Sequence, residues 1–362
     1  MKKLLATTVA LLICGIACAQ NIAQTLSETE SLLGKRDPRL RIDLDTRIDL
    51  KYMEGNEPEY SNFTLQNMRL IVSGEIIPGI RYRWRQRLNK STTANPDGSG
   101  AATDYIWVAF DLGHRKSWTI TVGKQLVQLG TYEFNYVGTN RYLSTQVNSD
   151  FENTRIGIKA AYQFLGQTFN FQVMNAGSQM TDDGHSTRGL AAAAMWNGSL
   201  FNDVIGTRIG YAAFQHNSSK IYQWVTAGVQ INAGIVTTEL DFFRGDRMID
   251  YSSAVEIREG RHHIQDMSGA ANILFNLGKF RPSVKGVWDR RKDMELNADA
   301  YGNLGIQALL EYYPFPEGLL KDLRFHAAYF YKHTSFEGSF SSLRNEGLHT
   351  ALVGMRWVIP VK

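Results

Sequence analysis

Arginines occupy every second position of one short run, which is the strongest chemical signal in the chain. The four are Arg81, Arg83, Arg85 and Arg87, and the positions between them include Trp84. A guanidinium stays charged and can bind phosphate or carboxylate through two parallel hydrogen bonds. Alternate side chains of a β-strand share a face about 6.6 Å apart, so the four would span roughly 20 Å and could pass an anion along the row. A strand that is polar on one face and apolar on the other is typical of a membrane barrel.

A second two-faced run precedes the arginines at residues 39–52. Its even positions are mostly leucine or isoleucine, and its odd positions are all charged. The same alternation recurs along the chain, although residues 188–196, with four consecutive alanines, show it least clearly. It predicts sixteen strands at residues 39–52, 64–77, 79–89, 104–112, 117–125, 155–164, 167–174, 188–196, 204–215, 220–231, 235–244, 268–276, 280–289, 303–313, 323–332 and 347–359.

Connections of two lengths alternate along almost the whole chain. Mostly short, turn-like connections are predicted at residues 77–79, 113–116, 165–166, 197–203, 232–234, 277–279 and 314–322. Mostly longer, polar connections are predicted between them, at residues 53–63, 90–103, 126–154, 175–187, 216–219, 245–267, 290–302 and 333–346. An antiparallel membrane barrel has short periplasmic turns and longer external loops. The chain is therefore predicted to be all-β, with a 16-stranded antiparallel transmembrane β-barrel over residues 39–362 and both ends of the barrel on the periplasmic side.

Composition argues against a helical membrane protein and against a nucleic-acid partner. After the N-terminus, no segment provides the roughly 18 consecutive apolar residues of a spanning helix. The net charge of +4 falls to +2 without Lys2 and Lys3, which is too small to indicate nucleic-acid binding. The 32 glycines, 16 tyrosines and 18 phenylalanines instead suit many exposed strands with aromatic belts.

The N-terminus has the pattern of an exported protein. Two lysines precede an apolar run that ends in Ala17-Cys18-Ala19. This pattern predicts a signal peptide over residues 1–19, with cleavage before Gln20. The alternative is a lipobox at residues 15–18, in which Cys18 would become the lipidated first residue.

Residues 20–38 differ from the strands that follow. Ser27 and Glu30 match a capping box, and Gly34 could end a helix. We expect a periplasmic N-terminal segment with one short helix. Both cysteines precede this segment, so a chain cleaved before Gln20 would use neither disulfides nor thiol catalysis.

The connection at residues 126–154 is the longest and is rich in aromatic residues. Loops of this length are usually functional or disordered, and aromatic side chains favour a packed conformation. It is also the third long connection in order. We expect it to fold inward and narrow the lumen, with Tyr132, Glu133, Tyr136 and Arg141 at the constriction. The alternative is an external lid or a contact with a neighbouring subunit.

Residues 73–89, with the sequence SGEIIPGIRYRWRQRLN, resemble the early hairpin of the phosphate-selective porin O and P family, particularly its Bacteroidetes-type members. Residues 122–125 (VGKQ), followed by a long loop with Gly and Tyr, resemble the same family. The resemblance implies a 16-stranded barrel in the outer membrane of a Gram-negative bacterium, commonly a homotrimer, whose third loop constricts the pore. It also implies an arginine ladder that carries anions such as phosphate, contact with outer-membrane lipid and lipopolysaccharide, and no cofactor.

The charged residues predicted to face the lumen belong to two groups. The pore-lining, anion-interacting group is Arg81, Arg83, Arg85, Arg87, Lys124, Arg155 and Lys159. The opposing acidic group is Asp43, Asp45, Glu75, Asp111, Glu239 and Asp241. If the acids pair with the arginines, the wall carries a transverse field across a general pore and does not select phosphate. The sequence leaves this alternative open beside a transport ladder.

Enzymatic chemistry has little support in the sequence. The eight histidines are scattered, and the adjacent pair His262-His263 lacks the supporting spacing of a zinc site. We predict no metal and no catalytic residues. The remaining candidates are a passive diffusion channel for small anionic or polar solutes and a non-transporting barrel that serves as a receptor, anchor or assembly component.

Overall fold

The computed structural model describes residues 39–55, 59–90, 102–113, 116–136, 140–177, 180, 189–217, 220–250 and 261–361. The predicted signal peptide, the lipobox and the segment at residues 20–38 lie outside these residues. Within the described ranges, sixteen strands form one closed barrel. Every strand is antiparallel to its neighbours in sequence, and the last strand closes the barrel on the first.

The first eight strands are β1 Arg41–Glu54, β2 Tyr60–Ile77, β3 Ile80–Arg87, β4 Thr103–Leu112, β5 Trp118–Leu126, β6 Thr154–Phe164, β7 Gln167–Asn175 and β8 Leu190–Leu200. The second eight are β9 Ile205–Gln215, β10 Ile221–Ala233, β11 Val236–Asp250, β12 Arg261–Phe275, β13 Phe280–Asp293, β14 Ala298–Tyr312, β15 Arg324–Phe336 and β16 Glu346–Pro360. Two short α-helices, α1 Tyr132–Asn135 and α2 Gln146–Asp150, lie between β5 and β6, and a 3-10 helix spans Gly338–Phe340. None of the helices in the described ranges has the length and apolar character needed to cross a membrane.

Period-two alternation gives each strand one lumenal and one outer face. On β1, Asp45 and Asp49 are at most 2% exposed, whereas Ile48 on the other face is 43% exposed. The register extends this division to the neighbouring strand, because Asp45 lies opposite Arg69 of β2. Charged side chains are therefore collected inside the barrel and aliphatic or aromatic side chains outside, as a lipid-facing wall requires.

The prediction of a 16-stranded antiparallel barrel is confirmed, but two predicted loops were too long. Strand β11 extends to Asp250, β12 begins at Arg261, and β13 and β14 take up most of residues 290–302. His262 and His263, which were predicted to lie in a loop, are therefore in β12. These strand ends carry charge on both faces, so their composition resembles that of a polar loop even though their backbones are paired.

The lumen beside β7 to β11 is filled by an apolar cluster. Loop side chains, including Leu129 and Phe151, pack there against Phe214 and Trp224 of the wall. The weakest predicted strand, β8, belongs to this wall, and its lumenal Ala191 leaves space for the loop to approach. The alanine-rich sequence that obscured the strand is therefore what allows the loop to pack on it.

Candidate functional site: a lumen divided by the long loop

The loop between β5 and β6 is fixed first by a carboxylate at the start of α1. Asp241 of β11 accepts hydrogen bonds from the backbone amides of Tyr132, at 3.0 Å, and Glu133, at 2.8 Å. Two wall glycines permit this close approach. A Cβ atom at Gly206 would lie 2.3 Å from the Tyr132 hydroxyl, and one at Gly228 would lie 3.0 Å from Thr131.

A buried ion pair holds the middle of the same loop. The carboxylate of Glu133, 1% exposed, accepts a hydrogen bond from Lys285 Nζ of β13 at 2.6 Å. It also accepts from the backbone amide of Thr145, at 2.9 Å, and from the Thr145 hydroxyl, at 2.5 Å. Glu133 therefore joins both helical parts of the loop to the far wall.

The second helix is bound to the wall through further carboxylates. Asp289 of β13 accepts from the backbone amide of Gln146 at 2.8 Å. At the other end of α2, Asp150 lies 3.1 Å from an Arg247 amino group and 3.2 Å from one of Arg291. Both of these arginines also bind the buried Asp266. The end of the loop thus closes a charge network across β11, β12 and β13.

The segment between the two helices reaches the opposite side of the barrel. Arg47 of β1 donates to the backbone carbonyl of Arg141 at 2.7 Å, and its guanidinium lies 4.0 Å from the centre of the Tyr142 ring. Tyr142 donates to Glu311 of β14 at 3.3 Å, and burial raises the pKa of its phenol. Contacts with β1 and with β11 to β14 show that the loop crosses the interior.

Two cavities remain on the two sides of this loop. The basic lobe, about 480 Å³, is bounded by β2 to β7, and the mixed lobe, about 440 Å³, by β10 to β15. Tyr136 and Arg141 of the loop line both. The cations of the basic lobe are Arg69, Arg81, Arg83, Arg85, Arg87, Arg141 and Lys159, and no Asp or Glu of the described chain lines it. The charged groups of the mixed lobe are Arg141, Arg281, Lys285, Arg324, Glu239 and Glu311.

Three of the four alternating arginines pair with carboxylates. Arg81 binds Asp111 through two hydrogen bonds, at 3.0 and 2.6 Å. Asp104 accepts from Arg85 at 2.9 Å and from Arg87 at 2.8 Å, and lies 3.4 Å from Arg69. The guanidiniums are among the residues that line the cavity, whereas the two carboxylates are not.

Arg83 and Lys159, unlike the three paired arginines, do not contact a carboxylate. Neither has a hydrogen bond or an ion pair within the described chain, and Arg83 Nε is buried without a partner. Tyr105 is the aromatic neighbour of Arg83, with its ring centre 5.8 Å from the guanidinium carbon. These two cations line the basic lobe with their charges uncompensated by direct contact.

The other predicted acids also have local partners. Asp43 binds Arg41 at 2.6 Å and Asp45 binds Arg356 at 2.9 Å. Glu75 accepts from the backbone amide of Gly79 at 2.7 Å and so caps the β2–β3 turn. Glu239, another acid of the predicted group, accepts a hydrogen bond from Tyr136 at 2.7 Å. Arg155, which belongs to the predicted cations, binds Glu152 at 2.8 Å.

Lys124 was predicted to line the pore. Its register partners are Ile106 of β4 and Ile156 of β6, and Ile106 is 54% exposed on the outer face. Lys124 itself is only 3% exposed, and the positive φ of the preceding Gly123 interrupts the alternation of β5 at this point. It is not among the residues that line either cavity, so its place in the pore wall stays a prediction.

Asp104 and Arg69 are the important charges that the sequence reasoning missed. Asp104 has the same parity as Ile106, which faces outward, so simple alternation would place it outside. The register between β3 and β4 shifts at Arg85 and Gln86, and this irregularity brings Asp104 to the arginines. Arg69 could have been found from the alternation of β2, where it shares a face with Glu75.

Comparison with known proteins agrees with this architecture. The family described as phosphate-selective porin O and P matches residues 38–245, which is more than half of the chain. The chain belongs to this family. No protein among curated sequences matches it.

Solved outer-membrane proteins share the fold at low sequence identity. The channel DcaP of Acinetobacter baumannii gives a TM-score of 0.63 at 10% identity, covering 88% of this chain and 97% of that one. The trimer form of OmpT of Vibrio cholerae gives 0.59 at 10% identity, covering 88% and 98%. The anion-selective porin of Comamonas acidovorans gives 0.55 at 11% identity, covering 88% and 99%. Membership of this porin family supports an outer-membrane channel.

Proposed function

We propose that this protein is a passive diffusion channel of the outer membrane that favours small anions, phosphate among them, and conducts them through the basic lobe. The observation that carries the proposal is the wall of that lobe, with seven cations and no acid in the described lining. A low-dielectric wall of one charge sign concentrates counter-ions and raises their rate of entry. Conduction also requires weak binding at each site, so that the solute can leave.

The paired and unpaired cations have different roles in this proposal. Arg81, Arg85 and Arg87 keep their geometry through Asp111 and Asp104, which also reduces their net attraction for a solute. Arg83 has no such partner in the described chain and can meet an anion with its full charge. The row is therefore part charge-paired wall and part anion pathway.

The assembly is proposed to be a homotrimer. The family resemblance and the trimer form of one structural neighbour support this assembly. An anion-selective porin among the neighbours is consistent with the solute class, although at 11% identity its likeness concerns the fold.

Single-channel recording in planar bilayers tests the proposal. We expect discrete conductance from the refolded wild-type protein and a reversal potential in a salt gradient that indicates anion preference. In Arg83→Gln/Lys159→Gln, the anion-to-cation permeability ratio should fall about fivefold or more, because a unit charge at contact distance contributes about 1 kcal/mol in water. Phosphate should reduce chloride current at lower concentration in the wild type than in the double variant.

Arg281→Gln is the matched control from the mixed lobe. Arg281 stacks on Tyr313, at 4.2 Å, and its removal should leave the basic lobe unchanged. An equal loss of selectivity in the control would contradict a pathway through the basic lobe. Absence of conductance from correctly folded protein would instead favour the receptor or anchor alternative.

A further inference from the structure

The outer faces of β11 to β14 continue beyond the apolar band as charged rows. Phe242, Trp288 and Leu304 belong to one outward row and are 38%, 40% and 61% exposed. The next row towards the external ends contains Arg244 and Arg290, with Met267 between them. The row after that is Asp246, Gln265, Lys292 and Asp299.

These rows change from apolar to charged over one step of the pleat, about 6.6 Å. Tryptophan at such a boundary is typical of the headgroup level of a membrane. The charged rows therefore lie where lipid phosphates of the outer leaflet are expected. They lie outside the barrel and are separated from the lumen by the sheet.

A small pocket of about 190 Å³ lies on this outer surface. It is lined by Gln265, Met267, Arg290, Lys292 and Asp299. Lys292 makes no hydrogen bond or contact ion pair within the described ranges. Arg290 binds Asp299 through two hydrogen bonds, from Nε and from one amino group, but its side chain is 52% exposed. An exposed pair of this kind contributes little to stability, so a phosphate can compete for the arginine.

We propose that this pocket binds a phosphate group of an anionic glycolipid of the outer leaflet, the chemical class of lipopolysaccharide. Arg290 and Lys292 contact the phosphate, Arg244 adds positive charge from the neighbouring strand, and the acyl chains lie against the row of Phe242 and Trp288. Each basic side chain next to a membrane surface raises the affinity for anionic lipid about fivefold. Continuity between the cations and the lipid-facing row favours a lipid over a free phosphate.

Native mass spectrometry of the full-length protein in detergent tests this site with diphosphorylated lipid A as the probe. In Arg290→Gln/Lys292→Gln, the affinity for lipid A should fall about tenfold or more. The wild type should bind fully dephosphorylated lipid A no better than that variant binds the diphosphorylated form. The matched control Lys279→Gln/Lys321→Gln removes two exposed lysines from the periplasmic turns and should bind as the wild type does.

The variant Asp299→Asn distinguishes a lipid-binding role of the Arg290–Asp299 pair from a purely structural role. Removing the competing carboxylate should increase lipid A affinity severalfold, whereas a structural role would lower it in both Arg290 and Asp299 variants. Equal lipid A binding by the wild type and by Arg290→Gln/Lys292→Gln would overturn the proposal. Displacement of lipid A by equimolar inorganic phosphate would overturn the assignment to a lipid. Bilayer conductance of the same variants should stay unchanged, so failure here is distinguishable from failure of the channel proposal.

Discussion

The two lobes of the lumen are similar in volume and share one loop, yet their charge balances differ. In the mixed lobe, Glu239 and Glu311 line the open space together with the cations. In the basic lobe, Asp104 and Asp111 pair with the arginines but stay out of the lining. The electrostatic character of a pore wall therefore depends on where an acid lies relative to its partner, as well as on how many acids are present.

The loop between β5 and β6 also makes different contacts with the two sides of the barrel. Its carboxylate anchors, including Asp241 and Asp289, lie on the β11–β13 side of the interior. Towards the basic lobe it offers mainly the side chains of Phe134, Tyr136 and Arg141. The wall that fixes the loop is thus distinct from the wall that carries the uncompensated cations.

The largest effect is expected from Glu133→Gln, which weakens the anchoring of the loop that separates the two lobes. Breaking one side of a buried ion pair costs about 3–5 kcal/mol, which corresponds to more than about a hundredfold change in the population of the anchored loop. We expect higher single-channel conductance and faster proteolysis within residues 126–154. Glu152→Gln, which removes a partly exposed partner of Arg155 in the same loop, should change either measurement little. Unchanged conductance in Glu133→Gln would show that the loop stays in place without this anchor.

A smaller effect is expected from Asp104→Asn, which should increase the difference in charge between the two lobes. The substitution removes the carboxylate shared by Arg69, Arg85 and Arg87, so the anion-to-cation permeability ratio should rise about fivefold. Reversal potentials measure this ratio, and heat-modifiable migration on gels verifies that the barrel folds. Asp111→Asn, which frees only the 46%-exposed Arg81, should raise the ratio by about twofold at most. A lower ratio in the Asp104 variant would mean that its arginines need the carboxylate to stay in the wall.

Two neighbouring arginines provide the next comparison within the basic lobe. Arg83→Gln should lower the permeability ratio about threefold, because it removes a cation that has no hydrogen-bond or ion-pair partner in the described chain. Arg85→Gln should lower it less, since Asp104 keeps two other arginine partners. Reversal potentials recorded in the same salt gradient rank the variants. The opposite ranking would show that pairing does not decide which arginine meets the solute.

The smallest effect concerns the wild type in different salt concentrations. The Debye length falls from about 10 Å at 0.1 M to about 3 Å at 1 M. Anion preference should therefore weaken by about twofold over this range if it arises from the field of the basic lobe. A salt-independent ratio would indicate selection by size at the loop, and the permeability of larger neutral solutes would then decide between the two.

Much of the barrel was predictable because its alternation is local. Strand period, turn signals and loop parity identified all sixteen strands, and the predicted faces placed Arg81 and Asp111 on the same lumenal wall, where they pair. The ends of β11 to β14 were missed because their outer faces become charged above the apolar band.

The sequence by itself determined the closed β-architecture, the lumenal row of arginines and the presence of a long aromatic loop, since each depends on residue types at short spacings. Only the tertiary structure decided which charges are compensated. Asp104 reaches three arginines through a register shift, Glu133 reaches Lys285 across 152 residues, and Arg83 is left without a hydrogen-bond or ion-pair partner in the described chain. These outcomes depend on strand register and on the path of the loop through the barrel, which no local pattern specifies.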